Sequence, residues 1–302
     1  MKKLLVILAL FSTSFCFAQN LQNAHWRFPV NSGADFTTTS PPTPASSAIN
    51  YTNYGGSAMP ASVSDVNGNL LFYTDGINVW DNNNQQFATG LYGYSTNVRT
   101  AQKVVIVPKP GNANRYYIFT LGSINQSGVD PNGIGRGGIH YTVVDFVSGT
   151  WQINPAFINT SLKNVAGDLI DYPFDLAHTE DNAVFITGES RMTTTLNRTG
   201  DKVWVSIIAD FYSNHRHTKK FLNYLVSANG ISAQPDGVST GPAVETSVVN
   251  PSYDNLEYSE SSMKISPNGA FLCDGEDVAD LFNYDNLNGT ISFNKRIFDG
   301  TG

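Results

Sequence analysis

The sequence predicts an all-β protein of 302 residues, built from short antiparallel strands that recur in similar units. Turn dipeptides separate short runs of β-preferring residues, as in residues 67–80, NGNLLFYTDGINVW, where Asn-Gly and Asp-Gly each mark a tight hairpin. No long stretch places apolar residues at helical spacing. Charged residues make up 14% of the chain, against roughly 25% in an average soluble protein, while turn-forming and small polar residues are abundant.

The first 18 residues have the pattern of a secretory signal peptide. Lys2 and Lys3 precede an apolar run, and Ala18 ends the segment on a small residue. Phe15 stands directly before Cys16, where a lipoprotein signal needs a small residue, so lipidation is not expected. No later segment is a continuous apolar run long enough for a spanning helix, which predicts no membrane insertion. We therefore expect export, followed by one domain over residues 19–302.

Charge and cysteine content limit the partners and the means of stabilisation. Removal of the signal takes away two lysines and no acid, so the net charge changes from −7 to −9. This acidic balance argues against nucleic acid and against an anionic membrane surface. Cys273 is the one cysteine after the signal, so no intramolecular disulfide is possible. Stability must come from a large apolar core.

The predicted strands form four successive units, each with three or more strands joined by Asn, Asp or Gly turns. In sequence letters the units are ASVSD, NLLFYTD and INVWDN; KVVIVP, RYYIFTL, GGIHYTVVDF and TWQI; FDLAHT, AVFIT, KVWVSIIAD, FLNYLVS and ISAQ; and SSMKIS, AFLCD, ADLFNYD and TISF. The spacing is near the ~40–60 residues of a propeller blade. The sequence therefore predicts a β-propeller of four-stranded antiparallel blades, about four to five of them in this chain.

The segments outside these strands carry their own predictions. Residues 25–28 (HWRF) predict a first strand, and the Pro-rich residues 37–48 predict an extended surface connection. Polar residues between AVFIT and KVWVSIIAD, and the basic residues 212–220, are interpreted as insertions. Residues 295–298 (KRIF) are interpreted as the opening of another strand, which suggests a chain that continues further. Trp80 is expected to pack between neighbouring sheets.

Several of these motifs together resemble a known family. Trp26 and GADF, then SDVNGNLLFYTDGINVWD and VVIVPKPGNANRYYIFTL, are similar to the N-terminal propeller-like region of type IX-secreted cell-surface proteins, which carry a gliding-motility-associated C-terminal sorting domain. The similarity continues through SLKNVAGD, KFLNYLVSANGIS, MKISPNGAFL and LFNYDNLNGTISF, in collinear order. Residues 54–57 (YGGS), 172–175 (YPFD) and 212–220 depart from the family pattern, which puts a shared ligand in doubt.

The resemblance implies an exported, adhesin-like surface module and a longer ring of about seven blades. It also implies that the type IX secretion machinery is a partner, through a C-terminal sorting domain that follows the region of similarity. In that case the full-length product reaches the cell surface, and a product without the sorting domain stops in the periplasm.

Long polar loops are the expected place for a ligand. The loop over residues 92–99 contributes Arg99, and the acidic run from residue 168 to residue 181 contributes Asp171, Asp175 and His178. These four are the predicted ligand-binding residues. If the protein is instead an enzyme, Asp171, Asp175 and His178 are the acid–base candidates, although sequence spacing cannot show the carboxylate separation that a glycosidase needs.

Other motifs favour structural interpretations. Residues 65–69 (DVNGN) have the oxygen pattern of a Ca²⁺ loop, but an EF-hand needs an acid where Gly76 stands, so a turn is expected and no cofactor is assigned. His215 and His217 are too few ligands for zinc. Residues 237–241 (GVSTG) match a nucleophile elbow, but prolines on both sides predict a loop. The Gly-rich residues 133–138 predict a loop rather than a dinucleotide site. Beside an apolar strand, Cys273 is expected to be inert.

These observations leave three functional interpretations open. The first is a non-catalytic binding or adhesion module that recognises an extracellular glycan, a matrix component or a surface protein. The second is a propeller-based hydrolase or lyase that acts on glycans. The third is a structural spacer. A fold of this kind can host all three, so fold alone cannot choose among them. Without a convincing nucleophile or set of metal ligands in the sequence, the binding module is the leading hypothesis.

Overall fold

The computed structural model describes residues 23–37, 41–50, 60–93, 102–122, 138–163, 183–185, 190–213, 216–233, 235–244, 262–275 and 279–298. This part of the chain forms five antiparallel β-sheets and contains no α-helix. No helix of the described residues is therefore long and apolar enough to cross a membrane. The prediction of an all-β fold made of repeated antiparallel sheets is confirmed.

Sheets 1 and 2 come from the first 88 residues, and the strands of each follow one another in chain order. Sheet 1 consists of β1 (His25–Phe28), β2 (Ser32–Asp35) and β3 (Thr43–Ala45). Sheet 2 consists of β4 (Ala61–Ser64), β5 (Leu70–Thr74), β6 (Val79–Asp81) and β7 (Gln86–Ala88). The first predicted strand is confirmed, and the Pro-rich connection contains β3.

Both turns predicted within residues 67–80 are present in sheet 2. Gly68 joins β4 to β5 with a φ of 87°, and Gly76 joins β5 to β6 with a φ of 90°. Only glycine adopts such angles without strain, so these two residues set the hairpins. Trp80 is buried with Ile49 and stacks on Tyr73, whose ring lies under Arg27 of β1. Trp80 therefore packs between sheets 1 and 2, as predicted.

Sheet 3 contains the four strands predicted for the second unit and one more. They are β8 (Val104–Pro108), β9 (Arg115–Gly122), β10 (Gly138–Val147), β11 (Thr150–Ile153) and β12 (Thr160–Ser161). Strand β12 pairs with β10 beyond the end of β11, so two short strands share one edge of β10.

Sheet 4 is the largest, with six strands. They are β13 (Ala183–Phe185), β14 (Arg191–Leu196), β15 (Val203–Ser213), β16 (Arg216–Ser227), β17 (Gly230–Ile231) and β18 (Gly237–Val244). The predicted strand FDLAHT lies outside the described residues.

Sheet 4 also corrects three predictions. The polar segment RMTTTL is strand β14 rather than an insertion, because its β-branched threonines favour extended backbone and pair with β15. Residues 212–220 lie mostly in β15 and β16, whose pairing continues to Ser213 and Arg216, so the basic segment is a hairpin rather than a loop. Residues 237–241 belong to β18, which pairs with β16. A strand without a following helix gives no nucleophile elbow.

Sheet 5 is a four-stranded meander. It consists of β19 (Ser262–Ile265), β20 (Phe271–Gly275), β21 (Ala279–Asp285) and β22 (Thr290–Phe298). All four strands of the last predicted unit are present. Residues 295–298 continue β22 instead of opening another strand, because register shifts let the strand keep pairing with β21 up to Phe298.

The apolar core lies in layers between successive sheets, because the central strands alternate apolar side chains on both faces. In β9, Tyr116 and Ile118 pack towards sheet 2, whereas Tyr117, Phe119 and Leu121 pack towards sheet 4. In β15, Val205 and Ile207 face sheet 3, whereas Trp204 and Ile208 face sheet 5. Sheets 2 to 5 are therefore stacked in chain order.

The first strands of sheets 2, 3 and 5 and the second strand of sheet 4 contact one another in sequence, β4 with β8, β8 with β14, and β14 with β19. Short turns follow these strands, and we call the edge of the stack that holds them the turn edge. The strands begin at the opposite edge, which we call the loop edge. There, Lys264 Nζ of sheet 5 donates to Gln102 Oε1 of sheet 3 at 3.1 Å, across sheet 4. Gln102 lies two residues before β8, so at the loop edge sheets 3 and 5 come within the reach of two long side chains.

Towards the loop edge, the layer between sheets 2 and 3 becomes polar. Thr120 and His140 are paired across β9 and β10 and are buried, as is Thr142. The His140 ring meets Tyr92 edge-to-face at 5.2 Å, and its Nδ1 has no hydrogen-bond partner among the described residues. Burial lowers the pKa of His140 from its ordinary value of 6.5 to about 4, so the ring is neutral at pH 7.

This burial predicts a loss of stability in mild acid. Between pH 6.5 and pH 4 the unfolded chain binds a proton at His140 that the folded chain does not, so the free energy of unfolding falls as the pH falls. The full effect is about 3 kcal/mol. The substitution His140→Phe keeps a ring and removes the titration. Chemical unfolding of both proteins from pH 7.5 to pH 4 should show a steeper loss in the wild type, and equal slopes would contradict the prediction.

Candidate functional site

The ligand-binding residues predicted from sequence lie outside the described residues. These are Arg99, Asp171, Asp175 and His178, and His215 also lies outside. The described strands that flank them end or begin at the loop edge: β7 and β8 flank Arg99, and β12 and β13 flank the acidic run. Both segments therefore connect to the described sheets at the loop edge.

Three cations lie in or next to the contacting strands β8, β14 and β19. Lys103 precedes β8, Arg191 begins β14, and Lys264 lies in β19. Lys103 and Arg191 are fully buried, whereas Lys264 is exposed and bonded to Gln102. The backbone N–H of Met192 donates to the Gln102 carbonyl at 2.9 Å, which ties β14 to the chain just before β8. The structure thus gathers basic side chains where the sheets converge.

Arg191 is held by a buried ion pair. Its Nε donates to Asp274 Oδ1 of β20 at 2.6 Å, and its Nη2 contacts the same oxygen. The pair joins sheets 4 and 5 across 83 residues of sequence. Charges in a low-dielectric interior need such pairing, because an unpaired ion there is strongly unfavourable. The pair therefore ties two sheets together and offers neither a nucleophile nor a free base.

The other motifs examined in the sequence have structural roles. Asp65 Oδ1 accepts the N–H groups of Asn67 and Asn69 at 2.9 and 2.8 Å, so the DVNGN segment is a capped turn. Cys273 lies partly buried in β20, and burial raises the pKa of its thiol, which disfavours the reactive thiolate. Within the described ranges, no group of three or more His, Cys, Asp or Glu could hold a metal ion.

The turn edge carries a cavity of about 640 Å³ between sheets 3 and 4. We call it the inter-sheet groove. Its walls come from the end of β8 and the following turn, from the end of β14 and the β14–β15 turn, and from the end of β16. The lining residues are Pro108, Pro110, Gly111, Leu196, Gly200, Asp201, Lys202, Val203, Leu225, Ser227, Ala228 and Asn229. Apolar surface with a few polar groups is the usual composition of a ligand pocket.

The β14–β15 turn that forms one wall is held by hydrogen bonds of its own. Asn197 Oδ1 accepts the Lys202 N–H at 3.1 Å, and the Gly200 N–H donates to the Asn197 carbonyl at 2.9 Å. Asp201 accepts a short hydrogen bond from the Thr199 hydroxyl, which lowers the pKa of the carboxyl group. Asp201 and Lys202 thus offer one charge of each sign beside the apolar wall of Leu196 and Val203.

Sequence reasoning did not identify this groove. Its residues come from three turns that are far apart in the chain, and each segment alone has the composition of an ordinary turn. The proline pair at residues 108 and 110 was the strongest available signal, since prolines leave no N–H for sheet pairing at that end of β8.

Comparison of the chain with protein-family models finds no match, and comparison with curated proteins finds none either.

The buried ion pair at the loop edge yields a stability prediction. The substitution Asp274→Asn leaves the Arg191 guanidinium buried without its carboxylate, so we expect it to lower the free energy of unfolding by about 3–5 kcal/mol. The double variant Arg191→Met/Asp274→Leu removes both charges and should lose much less. Urea unfolding followed by tryptophan fluorescence measures both effects.

The more exposed pair of Arg115 and Asp145 supplies the control, since Asp145→Asn should lower the free energy of unfolding by less than Asp274→Asn does. Equal losses in the single and double variants at Arg191 and Asp274 would contradict this assignment.

Proposed function

We propose that the protein is an exported, non-catalytic binding module of the cell surface, and that the inter-sheet groove is a place where it holds its ligand. The groove is the observation that carries the proposal. It is open, it is lined mainly by apolar side chains, and the turns that shape it are fixed by their own hydrogen bonds. A preformed surface of this kind suits binding, because little ordering entropy is lost when a ligand enters.

We also propose that the five sheets are blades of a β-propeller. The contact between Lys264 and Gln102 supports this arrangement, because first strands that converge towards an axis bring sheets two positions apart within the reach of long side chains. The stacking of sheets 2 to 5 in chain order supports it as well. In a propeller the inter-sheet groove lies between two neighbouring blades on one face of the ring.

The ligand that we propose is an extracellular glycan, a matrix component or a surface protein. Export rests on the signal-peptide pattern of residues 1–18, and the mature charge of −9 disfavours polyanionic partners. The full chain should be found outside the cytoplasm with residues 1–18 removed. Full-length product that stays in the cytoplasm with this segment uncleaved would contradict the proposal of export.

The binding proposal is tested on an array of glycans and matrix proteins with the full chain and matched leucine variants. Leu196 is 55% exposed at the groove, and Leu287 is 48% exposed on the β21–β22 turn outside it. We expect Leu196→Asn to weaken binding about tenfold or more, because it removes apolar contact from the wall of the groove. Leu287→Asn should leave binding within about twofold.

Two outcomes of this experiment would overturn the proposal. Binding that is equal in the wild type and in Leu196→Asn would remove the groove as the ligand site. Turnover of a bound glycan that is abolished in Asp171→Ala/Asp175→Ala would show an enzyme that uses the acidic run. Binding without turnover, weakened by the groove variant alone, is the expected result.

A further inference from the structure

The inter-sheet groove lies at one end of two neighbouring strands that are joined at their other end. Strands β8 and β14 both start at the loop edge, where the Met192 N–H donates to the Gln102 carbonyl at 2.9 Å. At the turn edge, Pro108 ends β8 and Leu196 ends β14, and both residues line the groove. The groove is therefore the space between the ends of these two strands.

Strand β14 has an open edge beside the groove. Among the described strands it pairs with β15 alone. The Asn197 N–H donates to the Lys202 carbonyl at 3.0 Å, so alternate residues of β14 direct their backbone groups away from β15. These residues are Met192, Thr194 and Leu196. Met192 is bonded to the chain before β8, whereas the N–H groups of Thr194 and Leu196 have no hydrogen-bond partner among the described residues.

Two prolines prevent the end of β8 from closing this open edge. Pro108 lies an even number of residues after Gln102, so its backbone is directed to the same side as the carbonyl that Met192 binds. Neither Pro108 nor Pro110 has an N–H group, so neither can donate to a carbonyl of β14. The N–H and carbonyl groups of an open sheet edge are a template for pairing with another chain.

The lining of the groove favours an aliphatic side chain over a sugar ring. A sugar ring packs its C–H face on a flat aromatic ring, and the lining contains no aromatic residue among the described ones. Its apolar members are prolines and aliphatic residues: Pro108, Pro110, Leu196, Val203, Leu225 and Ala228.

Charge and size narrow the ligand further. Asp201 and Lys202 stand next to each other in the lining with opposite charges, so the groove has no net charge that selects an ionic ligand. The cavity of about 640 Å³ falls within the roughly 300–1,000 Å³ of pockets that hold small ligands. A stable interface between two folded proteins needs about 800 Å² on each partner. The groove therefore suits a short segment of chain better than the surface of a folded domain.

The side chain of Leu196 links the open edge to the groove. Met192 packs in the core layer between sheets 3 and 4, and Leu196 lies on the same face of β14 because the two residues are four positions apart. A residue that pairs beside Leu196 places its own side chain on that face. A chain added to β14 would thus direct alternate side chains into the groove.

We infer that the ligand of the inter-sheet groove is an extended peptide segment of an extracellular protein, which pairs its backbone with β14 at Thr194 and Leu196 and places an aliphatic side chain in the groove. The inference rests on the proposed function and narrows its three ligand classes to one. In recognition of this kind, main-chain hydrogen bonds to a sheet edge give affinity, and a pocket for alternate side chains gives specificity.

Selection from a phage-displayed library of random dodecapeptides on the full chain tests the inference. We expect the recovered peptides to share an aliphatic residue. In a synthetic copy of one such peptide, N-methylation of the alternate N–H groups that face β14 should weaken binding about tenfold or more. Methylation of the other alternate set is the matched control and should change binding by less than about threefold, because those groups point away from the sheet.

Variants of Leu196 test the same bond from the protein side. Leu196→Ala and Leu196→Pro both shorten the side chain, but only the proline removes the N–H of the open edge, where proline is compatible with a strand. We expect Leu196→Pro to bind the peptide about fivefold or more weakly than Leu196→Ala does. Leu287→Asn, on the β21–β22 turn outside the groove, should bind as the wild type does. The methylated peptides test the bond on the unaltered protein.

Three outcomes overturn the inference. The first is a library that yields no peptide while the full chain binds an array ligand that Leu196→Asn weakens, which leaves the proposed function standing with another ligand class. The second is equal binding of both methylated sets and of Leu196→Pro and Leu196→Ala, which would show that no backbone pairing occurs. The third is a peptide that binds Leu196→Asn as tightly as the wild type, which would place it outside the groove. A library and an array that both yield no ligand overturn the proposed function as well.

Discussion

The structure depends on central strands that bury both of their faces. In sheet 3, alternate residues of β9 enter two different core layers, Tyr116 and Ile118 on one side and Tyr117, Phe119 and Leu121 on the other. A sheet of this kind exposes a large apolar face unless it has a neighbour on each side. Stacking in chain order satisfies this need for sheets 2 to 4, since each of them has a neighbouring sheet on both faces. At the start of the stack, the face of sheet 1 that points away from sheet 2 has no described sheet against it.

The two edges of the stack have different chemistry. At the turn edge, carboxylate and amide side chains cap the backbone: Asp81 accepts the N–H groups of Asn83 and Gln85, and Asp285 accepts that of Leu287. These capped turns are small and fixed, so the grooves between them are preformed. At the loop edge, buried polar and charged groups lie between the sheets, where Arg191 and Asp274 are paired and His140 stays neutral. The preformed walls of the stack therefore lie at the turn edge.

Local sequence signals predicted most strands of the described residues, because Asn-Gly, Asp-Gly and Pro-Asn-Gly turns mark strand ends by backbone geometry alone. These signals missed strands whose residue composition is more typical of a loop than of a strand. Strand β14 is polar, and β18 begins at Gly237, where a Cβ would come within 2.2 Å of the Gly289 carbonyl oxygen of sheet 5. That glycine reflects close packing between sheets rather than a loop.

The candidate site was less predictable than the fold, since the groove joins turns about 90 residues apart in the chain and Arg191 meets Asp274 at a separation of 83 residues. Such pairings depend on the stacking order, which no single segment encodes.

The meander order of sheet 2, sheet 5 and the main path of sheet 3 has a consequence for how the chain folds. Each of these strands pairs with the next one along the sequence, so most hydrogen-bonded contacts close short loops and cost little chain entropy. A sheet can therefore form as soon as its own residues are available, and it then offers one apolar face to the sheet that follows. The core can therefore grow sheet by sheet from whichever sheet forms first. The Arg191–Asp274 pair closes only when sheets 4 and 5 are both in place, because each sheet contributes one of its two charges.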